Sequence, residues 1–519
     1  MDRDAALARL GSGEPWDLAV IGGGATGLGT ALDAAARGYR TALVEAGDFA
    51  RGTSSRSTKL IHGGLRYLAR GEFRLVHEAL EERGRLRANA PHLVHPVTFL
   101  IPSYSRWTSP YYGLGLKVYD LLAGRQNFGP SRVAGREEAL NLVPTLAKDG
   151  LRGGVVYQDG QFDDARLAVA LLRTFEDRGG AALNYVEARG ILKVDGRTAG
   201  LRVRDVESGA HFDIQARAIV NATGVFADAV RAMDDPAATP MIAPSRGSHL
   251  VFGRAFLPGP AAVLVPKTDD GRVLFAIPWH GHALIGTTDT PVESAAVEPT
   301  PSAADIDYLL EHAGRYLSPP PTRADILGSF AGLRPLISTG HGNRTAALAR
   351  DFAVVVSGSG LVTIAGGKWT TYRRMAEAAV DRAAEVAGLP PRPCPTADLR
   401  LHGWAEGAAA GPFDSYGSDA PALRALVADR PDLGDPLDPR LPEVLGVHAV
   451  WAARHELART VEDVLSRRTR ALLLDARASI AMAPRVADLI GDELGRDEEW
   501  RREQVRAFEA LVNRYLPMG

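Results

Sequence analysis

The chain has 519 residues, 45% hydrophobic and 24% charged, enough for two or three domains around a large buried core. Sixty Lys and Arg stand against 62 Asp and Glu, a formal net charge of −2, which excludes the overall basic field expected for nucleic-acid binding. The single cysteine, Cys394, excludes an intramolecular disulfide, a CxxC redox pair and a cysteine-based metal site, so redox chemistry would need a bound cofactor in a reducing compartment.

The N-terminus, Met1-Asp2-Arg3-Asp4, is acidic and has no basic region or apolar run before Leu18, so no signal peptide is expected. No stretch of about 18 apolar residues occurs, so no membrane-crossing helix is expected, although a protein lying on a membrane surface stays allowed. The first element is the apolar run Leu18–Ile21, suited to a strand buried on both faces. Gly22, Gly24 and Gly27 then fit GxGxxG within Gly22-Gly23-Gly24-Ala25-Thr26-Gly27. The first glycine permits a tight turn, the second lets backbone approach a pyrophosphate, and the third lets helix and strand pack closely. An alanine-rich helix follows, its N-terminus offering N–H groups and a positive dipole end to phosphate, with Gly38 as the residue just past its end. A second strand, Thr41–Val44, ends on Glu45, 21 positions after Gly24, where an acid accepts hydrogen bonds from ribose hydroxyls and repels a 2′-phosphate. This βαβ unit, Leu18 to Glu45, indicates a dinucleotide and does not by itself separate NAD from FAD.

The stretch Thr53-Ser54-Ser55-Arg56-Ser57-Thr58-Lys59-Leu60-Ile61-His62-Gly63-Gly64-Leu65-Arg66-Tyr67-Leu68 goes beyond what a plain NAD domain needs. Tyr104, Trp107, Tyr111, Tyr112 and Tyr119 alternate with Leu114, Leu116 and Val118 beside Arg106 and Lys117, a mixture that suits a bilayer interface and equally a core segment. The run Ala218–Val220 leads into Asn221-Ala222-Thr223-Gly224, and Leu361–Ile364 leads into Gly366-Gly367-Lys368. Each is a strand followed by glycine, where main-chain N–H groups can reach a ring or phosphate; each alone also reads as a simple turn. Between them lie the strands Val263–Val265, Val273–Ile277 and Ala283–Ile285, then a helix with Thr300 as cap and Pro301 in its first turn. After the Pro-rich linker at Leu389–Pro393 the chain turns helical; Thr460 caps a helix with Val461, Val464 and Leu465 on one face. Residues 405–411 read as a loop, and Arg454, Arg459, Arg467, Arg468 and Arg470 as a solvated helix face. No internal repeats occur.

Taken in order, the 53–68 stretch, Gly160-Gln161-Phe162-Asp163-Asp164-Ala165-Arg166-Leu167, Asn221–Gly224, Arg246-Gly247-Ser248-His249, Ile285-Gly286-Thr287-Thr288-Asp289, Gly332-Leu333-Arg334-Pro335-Leu336 and Gly366–Arg373 resemble the FAD-dependent glycerol-3-phosphate dehydrogenases. The resemblance runs from about residue 16 to 375, and the helical tail is similar to that family's C-terminal cap. It implies an α/β fold: an FAD-binding doubly wound Rossmann-like domain with an inserted antiparallel-sheet substrate domain and a C-terminal helical domain. The implied division is 1–100 for the first part of the FAD-binding domain and 101–240 for its continuation with part of the substrate domain. The rest is 241–350 for the mainly antiparallel substrate domain, 351–383 for the last FAD-binding part and 384–519 for the helical domain.

The implied cofactor is FAD, held by Gly22, Gly23, Gly24, Ala25, Thr26, Gly27, Glu45, Thr53, Ser54, Ser55, Lys59, His62, Gly63, Gly64, Ala222, Thr223, Gly224, Gly366, Gly367, Lys368 and Thr370. The implied reaction moves a hydride from C2 of sn-glycerol 3-phosphate to the flavin, yielding dihydroxyacetone phosphate. Arg66, Tyr67, Arg334, Arg350 and Lys368 are the implied substrate ligands, arginine suiting a phosphate dianion through its bidentate fork. For the base, His249 and His62 are the candidates; His249 also reads as a core histidine, His62 as packed on the flavin, and Arg334 as an alternative polariser of the developing carbonyl. The catalytic expectation is therefore Arg334 and His249, with no metal. The resemblance further implies a quinone as electron acceptor, a peripheral place on the inner face of the cytoplasmic membrane and no nucleic acid; a homodimer stays open. Rival readings are a glycerol-3-phosphate oxidase using oxygen, an FAD-dependent amine or amino-acid oxidase, and a non-enzymatic flavin-binding regulator.

Overall fold

In the computed structural model, which describes residues 3–64, 68, 71–268, 271–338, 352–407 and 411–517, the apolar runs sort into two sheets and a helical domain. The first sheet has the order Phe352–Val356, Val362–Gly366, His211–Asn221, Trp16–Ile21, Thr41–Val44 and Ala181–Leu183. All neighbours on this path are parallel except the outer pair, Phe352–Val356 with Val362–Gly366. A parallel sheet needs helices to cover it. Ala25–Ala36 supplies one and packs against Asp164–Asp177 and Tyr372–Ala387. Its alanines keep the contact close, and Gly29 lets the Tyr372 ring approach: a Cβ there would lie 2.7 Å from Tyr372 Cδ2. Gly38, just past the Arg37 cap, has φ +81°, as a left-handed helix terminator should.

The second sheet runs Thr290–Pro291, Ile242–Gly253, His282–Gly286, Leu274–Trp279, Ala262–Val265, Val94–Ser103, Gly153–Phe162 and Leu60–Ile61. Ile326–Ile337 pairs along Ile242–Gly253, and Arg132–Gly135 along Gly153–Phe162. It is antiparallel except where Ala262–Val265 meets Val94–Ser103. The helix Ala303–Gly314 packs against it, and its start differs from the expectation. Ser302 is the cap, with its side chain accepting the Asp305 N–H and Asp305 accepting the Ser302 N–H, so Thr300 and Pro301 precede the helix. The reciprocal pair satisfies two N–H groups that Thr300 could not reach.

The C-terminal domain contains Gly446–His455, Ala476–Leu494 and Glu498–Val512. Its Leu472, Leu473 and Ala476 share one hydrophobic core with Val251, Leu284 and Phe330 of the antiparallel sheet. Thr460 Oγ1 accepts the Asp463 N–H, and Val461, Val464 and Leu465 are buried as expected. The turn that follows, Asp463–Arg468, is π-helical. The arginine stretch departs from the expectation of a solvated face. Arg467, Arg468 and Arg470 are buried and paired with acids of the first 164 residues, because the face that carries them is the one turned toward the nucleotide-binding sheet. Arg454 is the more exposed and bonds Glu493.

Candidate active site

Parallel pairing brings several strand ends to one edge. Ile21 lies level with Asn221 and Val44, and Asn221 with Thr363. The loops beyond them carry Gly22–Gly27, Glu45, Ala222–Gly224 and Gly366–Lys368. Ligands of open α/β sheets bind at this carboxyl edge. Gly22 has φ +110°, and Gly27 packs so closely that a Cβ would stand 1.8 Å from Gly22 O. The helix Ala25–Ala36 starts at Gly24, which has no side chain to cap it. Ser54 Oγ accepts the Ala25 N–H at 2.9 Å, and the helix dipole favours an anion in front of that turn. The half-buried Glu45 carboxylate accepts N–H groups from Gly23 at 2.6 Å and Gly47 at 2.9 Å. Burial pushes its pKa up, and those two donors oppose the shift. Thr223 donates to Asn221 Oδ1 at 2.7 Å, and Gly366 and Gly367 have φ +80° and +75°. A helix start with no side chain at its cap position, a half-buried acid one strand away and side-chain-free backbone on both sides fit an FAD.

The 53–64 stretch crosses from this edge to the antiparallel sheet. Thr53 donates to Leu333 O at 2.5 Å, and Trp369 Nε1 donates to Ser54 O at 2.9 Å. Ser57 and Lys59 both donate to Asp164 Oδ2 at 2.7 Å. Lys59 is fully buried; its ammonium also donates to Ser55 O and lies 5.2 Å from the ring centres of both Trp279 and Phe330. Burial pushes the Lys59 pKa down to about 7, against the pull of Asp164. The Gly63 N–H donates to the Tyr119 hydroxyl at 2.9 Å, which in turn donates to Asp159. His62 is half-buried and Gly64 is buried.

Opposite this stretch, three cross-strand rows of Ile242–Gly253 and Ile326–Ile337 share a face: Ser245 with Arg334, Gly247 with Gly332, and His249 with Phe330. The glycine row, with no side chains, lets Arg334 and the 53–59 stretch approach closely. A Cβ on Gly332 would lie 2.9 Å from Arg56 O, so this face looks onto the 53–59 stretch. The Arg334 guanidinium leans over Gly247, donates to Thr288 O at 3.0 Å and pairs with Asp289 at 3.3 Å, remaining a third exposed. The His249 ring stacks on Phe330 with centroids 4.9 Å apart. Its Nε2 lies 2.9 Å from Thr58 Oγ1, and its buried Nδ1 has no hydrogen-bond partner among the described residues. Burial, then the charges of Lys59 and Arg334, push its pKa well below the usual histidine value, so the ring is neutral.

The structure thus gathers Gly22–Gly27, Glu45, Ser54, Ala222–Gly224 and Gly366–Lys368 at one sheet edge, and Thr58, His249 and Arg334 at the facing wall. Lys368 is half-buried and Thr370 buried in the turn after the two glycines. Arg66, Tyr67 and Arg350 lie outside the described residues. Sequence reasoning passed over Thr58 and Trp369, although both stand inside quoted motifs. It also passed over Asp164, Tyr119 and Arg470, whose contacts come from chain distant in sequence.

Residues 104–119 divide between the two expected surroundings. On the helix Thr108–Ala123, Leu116 and Tyr119 face inward. Trp107, Tyr111, Leu114 and Leu121 are 80%, 66%, 73% and 80% exposed, spaced by four, three and seven residues along one face. Lys117 and Phe73 are also exposed. No helix among the described residues is long and apolar enough to cross a membrane, and they contain no cluster able to hold a metal ion.

Residues 17–373 match the family model of FAD dependent oxidoreductases, and residues 359–501 the model of the C-terminal domain of alpha-glycerophosphate oxidase. The chain is 39% identical over 552 residues to the mitochondrial glycerol-3-phosphate dehydrogenase of Homo sapiens, covering 100% of this chain and 75% of that one. It is 38% identical to the mitochondrial glycerol-3-phosphate dehydrogenase of Arabidopsis thaliana, covering 99% and 88%. Among solved structures, the glycerol-3-phosphate dehydrogenase from Bacillus halodurans complexed with FAD superposes with a TM-score of 0.81 at 30% identity, covering 99% of this chain and 98% of that one.

Proposed function

The chain belongs to the FAD-dependent glycerol-3-phosphate dehydrogenases, and on that premise we propose that it oxidises sn-glycerol 3-phosphate at C2 to dihydroxyacetone phosphate and passes the electrons to a quinone. FAD, when bound, supplies the hydride acceptor. The observation that carries the reading is the glycine-floored face of the antiparallel sheet, with Arg334 at one side and neutral His249 at the other, both turned to the 53–59 stretch.

In this reading Gly22–Gly27 and Glu45 hold the pyrophosphate and ribose of FAD. Thr53, Ser54, Ser55, Lys59, His62–Gly64, Ala222–Gly224, Gly366–Lys368 and Thr370 line the rest of it. Arg334 takes the substrate phosphate, joined by Lys368 and by Arg66, Tyr67 and Arg350 of the family pattern. In the tautomer in which Nε2 donates to Thr58 Oγ1, the Nδ1 lone pair of His249 is left to take the C2 hydroxyl proton. A phosphate dianion on Arg334 offsets part of the positive field that suppresses His249, so substrate binding raises the basicity of its own base. The domain division at 100, 240, 350 and 383 belongs to the same reading.

The exposed stripe Trp107, Tyr111, Leu114 and Leu121, with Lys117 among them, supports a peripheral place on the inner face of the cytoplasmic membrane, where a quinone is within reach. The test is anaerobic addition of glycerol 3-phosphate to the yellow protein. Bleaching of the flavin is expected; unchanged absorbance overturns the reading, and bleaching by an amino acid instead would favour an amino-acid oxidase. Reduction of a quinone analogue without hydrogen peroxide is expected in the second half-reaction, and peroxide formation would replace the quinone with oxygen.

A further inference from the structure

The C-terminal domain touches the 48–59 stretch repeatedly. Asp48, three residues after Glu45, is fully buried. Arg467 Nε donates to its Oδ2 at 2.5 Å, and Arg468 donates to both of its oxygens at 2.8 Å. Arg51 lies 3.3 Å from Glu462. Arg470 closes the far end: its Nη2 donates to Ser55 O at 2.8 Å and to Asp164 Oδ1 at 2.9 Å. The other oxygen of that carboxylate takes Ser57 N, Ser57 Oγ and Lys59 Nζ at 3.0, 2.7 and 2.7 Å. One short segment of the C-terminal domain, Glu462 to Arg470, therefore grips both ends of the stretch that carries Ser54, Ser55 and Lys59. A π-helical turn lets it do so, because the extra residue per turn brings the adjacent Arg467 and Arg468 onto one carboxylate.

We propose that Arg470, bound at once to Ser55 O and to the Asp164 carboxylate that holds Ser57 and Lys59, is a positioning residue for the cofactor-facing stretch Ser54–Lys59, so that the C-terminal helical domain takes part in holding FAD. Arg470 acts only through its partners. Its guanidinium is buried and stacks 5.4 Å from the Trp279 ring, with Nη1 turned to Ser466 O. Planarity matters here: two acceptors of different kinds, one carbonyl and one carboxylate oxygen, are met by one Nη2 while Nη1 anchors the fork to its own segment. An ammonium at the same place cannot keep all three contacts. The shared Asp164 carries the effect forward. Ser57 and Lys59 bracket Thr58, the partner of His249, and Ser54 on the other side binds the Ala25 N–H in front of the glycine loop. A shift of Ser55–Lys59 would therefore be felt at the pyrophosphate end and at the facing wall together.

The inference rests on reading Ser54–Lys59 as cofactor-facing, and its test keeps the two apart. Full-length Arg470→Met, Arg470→Lys and Arg166→Met are compared, well below the unfolding temperature of each. Arg166 is an equally buried arginine that joins the two domains through Glu456 without touching the 48–59 stretch. FAD affinity, read from the return of flavin fluorescence on dilution, should be about tenfold weaker in Arg470→Met, intermediate in Arg470→Lys and unchanged in Arg166→Met. The visible absorbance band of bound flavin should shift in the Arg470 variants and stay in place in Arg166→Met. Equal FAD affinity and spectrum in Arg470→Met and Arg166→Met would overturn the positioning role. Should Arg470→Met fail to fold, wild-type affinity and spectrum in Arg470→Lys would overturn it. Gly24→Val tests the underlying reading: if that variant keeps FAD the cofactor assignment falls, whereas loss of FAD there with no effect at Arg470 removes the clamp alone.

Discussion

Arg334 is a cation leaning over a bare strand rather than over side chains, and its counter-ion Asp289 sits at 3.3 Å, a loose contact that a phosphate dianion can outcompete. Arg334→Ala should keep its FAD and lose about 100-fold or more in turnover, as removal of one well-placed charge donor does in other active sites. A stopped-flow measurement of flavin reduction by glycerol 3-phosphate checks this, and wild-type reduction would remove the phosphate assignment. His249 makes a second prediction. Its pKa lies below the ordinary 6.5 because of burial and the nearby cations, so the base is already in its accepting form at neutral pH. In the free enzyme the acidic limb of kcat/KM should fall below pH 6.5, and His249→Asn should abolish that limb along with most of the rate. Both residues were visible in the sequence as members of motifs. Their juxtaposition was not, because it depends on a cross-strand register that places residues 249 and 330, and 245 and 334, in matching rows.

At the level of elements, the turn Asp463–Arg468 shows how a pattern can be read correctly and its environment missed. Val461, Val464 and Leu465 are buried as their spacing predicts, yet the arginines between them are buried too. Periodicity marks the apolar face of a helix and is silent about a cation whose partner lies more than 400 residues away, as Asp48 does from Arg467 and Arg468. The pairing has a pH signature. Arg468 and Arg467 overcome the penalty of burial and hold the Asp48 pKa at about 2, below the ordinary 3.8. Its contribution to stability is thus complete above pH 3.8 and is lost as pH falls from there through about 2, which denaturant titrations of wild type and Asp48→Asn would reveal. At neutral pH Asp48→Asn removes the carboxylate that the two guanidinium groups share, leaving Arg467 to Glu462 and Asp463 and Arg468 to Glu456, and should cost roughly 1.5–3 kcal/mol. The helix Thr108–Ala123 gives the complementary case: its inward Leu116 and Tyr119 belong to the core, while Trp107, Leu114 and Leu121 face out. Replacing those three by serine should weaken co-sedimentation with anionic lipid vesicles by about tenfold or more, since each removes apolar area that a bilayer would bury. Unaltered vesicle binding would detach this face from the membrane.

Across the whole molecule, the site is a seam. One side is the carboxyl edge of a parallel sheet, the other a face of an antiparallel sheet, and the 53–64 stretch spans them in contact with the C-terminal domain. A ligand that bridges such a seam binds the folded state alone, so FAD should raise the unfolding temperature with the logarithm of its concentration. At a free concentration 100-fold above Kd the gain should be about 2.7 kcal/mol, measurable by calorimetry of apoprotein with added FAD, and an unfolding temperature independent of FAD would contradict the seam.

The sequence by itself determined the βαβ unit, its glycines and Glu45, because each of these requirements is local: a tight turn, a close helix, an acid at the end of the next strand. It also determined the family, because seven motifs occur in order. The cap at Ser302 rather than Thr300 is local as well, since Ser302 and Asp305 have the spacing of a capping box. Tertiary structure alone turned Arg467, Arg468 and Arg470 from a solvated face into a grip on the nucleotide-binding chain. Charges reveal their partners only when the fold brings distant acids within about 3 Å, and no spacing within the sequence encodes that distance.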